Sequence, residues 1–280
     1  MQASVGKPRV PASHAVGPVS PVTDATGTME TVERRAARYY AHAVVFAHAL
    51  KKPPFHPETV HLLRTHLRRL QAYAEFLERP KAAASFAKSV TWLSRLRTLD
   101  VFRQFLRRRR ADPEDVRRVT WALREEGMKV AHAGHLDAIR AVLEATTIVG
   151  MCRSATYLSA RLESLGREHA GRLNAALRGL SAEAKRKELH RLRLLVKSLR
   201  YQEEIALDTP WGNPQSMAAF KRLQRILGDY CDRNQFRRLA RKMKLACCGE
   251  MQKEYRRYRK LARAAVRKLG PPEAPATVRR

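Results

Sequence analysis

Apolar residues recur every three to four positions along most of the chain, and charged residues fill the positions between them. In one segment Leu63, Leu67, Leu70 and Leu77 follow this spacing, which places them on one side of an α-helix. The alternation of apolar and polar residues that is typical of strands is not sustained in the long segments, and the chain has only 13 glycines. The pattern predicts a nearly all-α fold.

Prolines, glycines and capping residues divide the periodic sequence into about eight helices. The predicted helices span 29–50, 57–78, 82–110, 113–145, 146–180, 181–208, 215–231 and 233–269. Residues 1–28 are rich in proline and have no helical period, so we predict a disordered leader there. Residues 270–280 are proline-rich as well and are predicted to form a disordered tail.

One motif occurs twice, 129 positions apart, at 61–70 and 190–199. Positions i, i+3 and i+7 of a helix point the same way. The first copy therefore has a stripe of one histidine and two cations opposite its leucines, and the second copy repeats it. The stripes are formed by His61, Arg64 and Arg68, and by His190, Arg193 and Lys197.

A second similarity follows each motif, between residues 93–100 and residues 227–234. An internal repeat of this kind indicates duplicated structural units. We therefore predict two antiparallel four-helix bundles, at 29–145 and 146–269, related by a pseudo-twofold axis with a basic central cavity. The two cationic stripes could then face each other across the axis.

The charge of the chain limits its partners. It contains 56 Lys and Arg against 26 Asp and Glu, for a formal net charge of +30. Such a surface favours polyanions: nucleic acid, a condensed phosphate chain or an acidic membrane surface. The four cysteines have no spacing typical of a disulfide framework, and no apolar run is long enough to span a membrane. These features predict a cytoplasmic protein with reduced thiols.

The two His-x-x-Arg-x-x-x-Arg/Lys helices, the Leu199-Arg200-Tyr201 ending with Glu204, and the segment around Leu227 and Asp232 resemble the conserved histidine α-helical domain, the CHAD family. The resemblance covers residues 29–268 and makes 29–269 a CHAD-like domain. It implies binding of inorganic polyphosphate in a basic cavity and association with polyphosphate granules. The ligand-binding residues that it implies are His61, Arg64, Arg68, Arg69, His190, Arg193, Lys197 and Arg200.

Six further residues are candidate secondary contacts for the anion: Arg35, Arg38, His42, Arg95, Lys221 and Arg225. The two halves differ at two motif positions, because Gln71 stands where the second copy has Arg200 and Ser198 where the first has Arg69. The competing interpretation of every cation here is a solvated helix surface, and that of each histidine is a packed side chain.

The sequence predicts a binding protein and not an enzyme. It has no Walker-type loop, His-Glu-x-x-His motif or Gly-x-Ser-x-Gly elbow. His132 and His135 lack a third metal ligand at a supporting spacing, so we expect neither a metal site nor a cofactor. Two alternatives stay open: a nucleic-acid-binding helical protein, without a recognisable binding module, and an enzyme that uses the histidines on polyphosphate or nucleotides.

Overall fold

The computed structural model describes residues 25–147, 154–181 and 183–269. Within these ranges the chain forms ten α-helices and no strands, which confirms the predicted all-α class. The helices are α1 (Ala25–Ala49), α2 (Pro57–Phe76), α3 (Pro80–Trp92), α4 (Ser94–Arg108), α5 (Pro113–His132), α6 (His135–Glu144), α7 (Ala155–Arg178), α8 (Arg186–Ala206), α9 (Pro214–Lys242) and α10 (Cys248–Leu269).

The predicted leader and tail fall largely outside the described ranges, since residues 1–24 and 270–280 are not among them. Helix α1 begins at Ala25, four residues before the predicted start of the first helix. No helix in the described part of the chain is long and apolar enough to cross a membrane.

Two helices that the sequence predicts as continuous are broken. The predicted helix 82–110 divides at Leu93, where the Ser94 hydroxyl donates a hydrogen bond to the Val90 carbonyl at 2.8 Å. A serine bonded to the carbonyl four residues earlier often bends a helix. The predicted helix 113–145 ends at His132 because Gly134 has a φ of 64°, which a helix cannot accommodate.

A third boundary was predicted at residue 232 but is absent. Helix α9 runs without interruption through this point, and Tyr230, Cys231 and Asn234 are buried along it. The chain instead ends this helix at Lys242, before a residue of positive φ, Lys244. Burial of one continuous face therefore outweighs the polar sequence at 232–234.

The predicted repeat has a counterpart in the helix boundaries. Helices α3 and α4 together span 80–108, and α9 spans 214–242, which is 134 residues further along at both ends. Arg110 and Lys244, also 134 apart, both have positive φ, at 52° and 51°. The same local turn therefore ends α4 and α9.

Three clusters of buried apolar side chains hold the helices together. The first joins α1, α2, α3 and α6 with the start of α7 and the end of α8. The second joins α8, α9 and α10 with the end of α7. The third lies between α4, α5, α9 and α10, and there Phe102 stacks on Phe236 with ring centroids 4.8 Å apart. The division into bundles at residue 145 stays a prediction.

A buried carboxylate fixes the start of α10 against α5. Asp115 is 3% exposed and accepts hydrogen bonds from the backbone N–H groups of Ala246 and Cys247, at 2.9 and 3.0 Å. These donors lie just before the N-terminus of α10. Asp115 thereby satisfies the N–H group of Cys247, which would otherwise be buried without a partner, and also that of the exposed Ala246.

Candidate functional site

The two motif helices, α2 and α8, pack directly against each other. Their leucines point into the protein as the sequence predicts, because Leu63 and Leu67 on α2 and Leu199 on α8 are fully buried. The opposite sides of the two helices carry the cations. Each motif therefore has one packing face and one cationic face, and the structure brings the two cationic faces together.

Five cations from three helices interact electrostatically with one another, and we call them the central cationic cluster. The cluster consists of Arg64 and Arg68 of α2, Arg97 of α4, and Arg193 and Lys197 of α8. Four of these are predicted ligand contacts. Arg97 is an addition, and it lies in the segment after the first motif that the sequence comparison of the two halves had already marked.

Burial and mutual repulsion disfavour the charged forms in this cluster. Burial first, and then the neighbouring charges of Arg68 and Arg193, together lower the pKa of Lys197 to about 6. The pKa of Arg64 falls to about 9 for the same reasons, with burial again the largest cause. Burial also lowers the pKa of Arg68. The cluster is thus unfavourable unless an anion enters it.

Acidic side chains compensate only part of this charge. Arg97 is paired with Asp100 at 2.9 Å, and Arg193 lies 3.9 Å from Asp232, whose pKa burial raises. Arg64 donates a hydrogen bond to the Ser94 hydroxyl at 3.1 Å, which is a neutral partner. Neither Arg68 nor Lys197 has a salt bridge to any described residue. At these two side chains no described carboxylate competes with a ligand.

The two motif histidines lie beside the cations but are not charged themselves at neutral pH. Burial lowers the pKa of His61, and the nearby Arg97 lowers it further. Burial also lowers the pKa of His190, followed by the charge of Arg193. A neutral imidazole can donate one N–H to a phosphate oxygen. The histidines are therefore suited to hydrogen bonding with an anion and add no charge at pH 7.

Three predicted contacts are instead engaged by acceptors at the end of α8, two of them by the carboxylate of Glu204 and one by its backbone carbonyl and Asp208. Arg69 forms a salt bridge with it at 2.7 Å and Arg200 at 3.5 Å. Arg35 donates to the Glu204 carbonyl and pairs with Asp208. The structure thus places Arg35, Arg69 and Arg200 in a junction between α1, α2 and α8, and Arg200 also lies near enough to Lys197 to lower its pKa. The repeated motif could not reveal this, because the acids that hold these arginines lie beyond it.

Glu75 of α2 is the acceptor that corresponds to Glu204 of α8. Its carboxylate accepts a hydrogen bond from Ser198 of α8 at 3.0 Å and another from Gln71 at 2.8 Å. Glu75 and Glu204 are 129 residues apart, as are Arg69 and Ser198, and Gln71 and Arg200. Arg69 and Arg200 therefore bind Glu204 as Ser198 and Gln71 bind Glu75. The halves differ in sequence at these two motif positions, but the contacts made there are equivalent.

A cavity of about 330 Å³ lies beside the two side chains that have no salt bridge to a described residue. Arg68 and Lys197 contribute to its lining, together with Glu75, Tyr201 and Arg172 of α7. Arg172 is exposed and was not predicted as a contact, since α7 precedes the second motif and carries no copy of it. Arg172 adds a positive charge to the lining of this cavity.

The remaining predicted secondary contacts are dispersed. Arg38 and His42 are exposed on α1, and Arg95 is paired with Glu126 of α5 at 2.9 Å. Lys221 and Arg225 are exposed on α9. Among the described residues no contact joins these five side chains to the central cationic cluster, and their role in binding stays a prediction.

A comparison with known protein families identifies the family of this chain. A family model described as the CHAD domain matches residues 35–241. The chain belongs to the CHAD family. The matched span contains all eight predicted contact residues and every member of the central cationic cluster, whereas α10 lies beyond it. Searches of curated proteins and of solved structures gave no match. In the described part of this CHAD protein, no group of three or more His, Cys, Asp or Glu side chains is arranged to hold a metal ion.

Proposed function

We propose that this CHAD protein binds inorganic polyphosphate at the central cationic cluster without transforming it. The observation that carries the proposal is the set of five converging cations, of which Arg68 and Lys197 have no acidic partner among the described residues. Burying like charges together costs free energy that a bound polyanion offsets. Membership of the CHAD family supports this ligand and, through it, association with polyphosphate granules.

The spacing of the cations favours a repeating anion over a single phosphate. Arg64 and Arg68 are one helical turn apart on α2, as are Arg193 and Lys197 on α8, so that each pair spans ~6 Å. A chain with one charge per unit can contact both pairs at once. Arginine grips two phosphate oxygens while lysine acts as a point charge, and we expect little selectivity for chain length.

The contacts between α2 and α8 also support the pseudo-twofold relation between the halves. The Arg69–Glu204 and Ser198–Glu75 contacts exchange under it, and Phe102 and Phe236, 134 residues apart, stack on each other. In each of these contacts the two residues would then lie on opposite sides of the axis. In this arrangement the two motif stripes line one shared cavity.

A binding role fits the chemistry of the side chains around the cluster. Burial raises the pKa of the Cys231 thiol to about 11, so that it is not a thiolate nucleophile at pH 7. His190 lies 3.9 Å from this thiol, and the lowered pKa values of His61 and His190 make both weak bases. An enzyme acting on polyphosphate would need an activated nucleophile or water, and this site favours neither.

The test is calorimetric titration with long-chain polyphosphate of the wild type and of the Arg64→Gln/Arg193→Gln variant. We expect the variant to bind at least tenfold more weakly, because charge-assisted hydrogen bonds contribute roughly 1.5–3 kcal/mol each. The matched control is Arg256→Gln/Lys260→Gln, which removes two exposed charges of α10. Equal weakening in the control would show that net charge alone binds the anion. Recovered polyphosphate of reduced length would contradict the non-enzymatic assignment.

A further inference from the structure

A second basic surface lies outside the central cationic cluster, in a groove of about 930 Å³ between α4, α5 and the end of α9. None of the eight predicted contact residues lines it. Its most unusual component is Trp121 of α5, whose side chain is 64% exposed. Apolar side chains that include Leu99, Leu239 and Met243 extend the lining beside the indole.

Cations outnumber acids around this tryptophan, although the exposed Glu125, one helical turn from Trp121, also lines the groove. Four of the cations lining the groove are exposed and have no salt bridge to any described residue: Arg107, Arg124, Lys129 and Lys242. Arg117 and Arg118 also line the groove but share the carboxylate of Glu114, at 2.6 and 3.2 Å. The groove therefore combines an exposed aromatic face with a net positive charge.

The positive surface continues past α9. A second groove of about 760 Å³ shares Arg95, Leu239 and Lys242 with the first. It adds Arg186, Arg237, Arg238 and Arg241, and none of the described residues that line it is acidic. A ligand with a single phosphate would leave most of these charges unused, whereas a flexible polymer could follow both grooves.

We propose that this groove is a binding site for single-stranded nucleic acid, in which a base stacks on Trp121 and the sugar–phosphate backbone follows the cations toward α9. Sites of this class combine a cationic groove with aromatic stacking platforms. Polyphosphate has no flat apolar surface and would gain nothing from the indole. A duplex would present no unstacked base to it. The inference does not depend on polyphosphate binding at the central cluster.

The experiment measures binding of a fluorescently labelled, short single-stranded oligoadenylate to the full chain by anisotropy, and of polyphosphate by calorimetry. Trp121→Ala should weaken oligoadenylate binding about 5- to 150-fold, the range for loss of one stacked base, and Trp121→Phe should recover part of it. Polyphosphate affinity should change less than about twofold. Because Trp121 is exposed, neither substitution removes core packing, and circular dichroism will confirm the helical content.

The Arg64→Gln/Arg193→Gln variant separates the two sites. We expect it to retain oligoadenylate binding while it loses polyphosphate affinity. Equal oligoadenylate affinity in the wild type and Trp121→Ala would overturn the proposal, and so would loss of both ligands in the arginine variant, which would place the oligonucleotide in the central cluster. Polyphosphate that binds nowhere, with oligoadenylate still dependent on Trp121, would refute the proposed function but support this site.

Discussion

Lowering the pH should strengthen polyphosphate binding through Lys197. In the free protein the pKa of this lysine is about 6, so that only about one molecule in ten carries the charge at pH 7. A phosphate beside the amine favours its protonated form. The complex therefore holds a proton that most free molecules lack, and binding takes up protons from solution above pH 6.

The size of the effect follows from the fraction of free protein that is charged at Lys197. With a pKa of about 6, this fraction is about 0.01 at pH 8 and about 0.5 at pH 6. If the charged form alone binds tightly, the apparent affinity rises by about 50-fold over this interval. The rise is steepest between pH 8 and pH 7, at nearly tenfold, and flattens below pH 6.

The assay is calorimetric titration at constant ionic strength from pH 8 to pH 6, with long-chain polyphosphate so that terminal groups contribute little. Lys197→Arg should bind tightly with a weak pH dependence, because arginine keeps its charge and Arg68 already fills the equivalent motif position on α2. Lys197→Met should bind weakly at every pH. A change of less than twofold in the wild type, or a full pH dependence in Lys197→Met, would show that protonation of Lys197 does not control binding.

The same pKa has the opposite consequence for the stability of the free protein. Between pH 6 and pH 10 the unfolded chain binds a proton at Lys197 that the folded protein does not, so the free energy of unfolding contributed by this residue increases with pH. Lys197→Met should remove this dependence. It should also raise the stability of the free protein, and by more near pH 6 than near pH 9, since it takes one cation out of a crowded cluster.

Three further predictions concern other parts of the protein. The logarithm of the polyphosphate affinity should fall linearly with the logarithm of salt concentration, and Arg64→Gln/Arg193→Gln should reduce that slope, measured by anisotropy, by about 1–2. Arg69→Ala should cost roughly 1–3 kcal/mol in urea unfolding, because it leaves Glu204 without its closest salt-bridge partner, yet should change affinity less than threefold. Asp115→Ala should cost about 1–3 kcal/mol in the same assay, since the buried N–H group of Cys247 and that of Ala246 lose their acceptor.

Each of these predictions has an opposing result. An unchanged salt slope in the arginine variant would mean that these side chains displace no counterions. A large loss of affinity in fully folded Arg69→Ala would return Arg69 to the binding site. Unfolding of Asp115→Ala at the wild-type urea midpoint would mean that water replaces the carboxylate.

The sequence alone predicts the parts of the site that follow from helical geometry. A histidine and two cations at i, i+3 and i+7 share a face wherever the segment is helical, and α2 and α8 confirm this for both motifs. The burial of Leu63 and Leu199 on the opposite face follows from the same period. The repeat also indicated that the segments after the motifs matter, and Arg97 lies in one of them.

Sequence reasoning failed where a contact depends on a distant element. Arg69 and Arg200 have the same charge as Arg68, and only the position of Glu204 shows that they are engaged with α8. The lowered pKa of Lys197 depends on burial and on the charge of Arg68 across the helix pair. Exposure of Trp121 could not be predicted either, because a tryptophan in an amphipathic helix is usually assigned to the core.

The breaks between helices also depend partly on the sequence and partly on the folded structure. Gly134 is visible in the sequence, but glycine inside a helical pattern is often tolerated, and its positive φ is a property of the folded chain. The break at Leu93 has neither glycine nor proline. It accompanies a hydrogen bond from Ser94 to Val90, and Ser94 in turn accepts one from Arg64, so that the bend is coupled to the cationic cluster.

A crystal structure of the protein with bound polyphosphate would locate the anion directly. We expect phosphate oxygens within hydrogen-bonding distance of Arg68 and Lys197, with the polyphosphate chain continuing past Arg64 and Arg193. Polyphosphate bound only in the groove beside Trp121, with the central cationic cluster empty, would contradict this expectation.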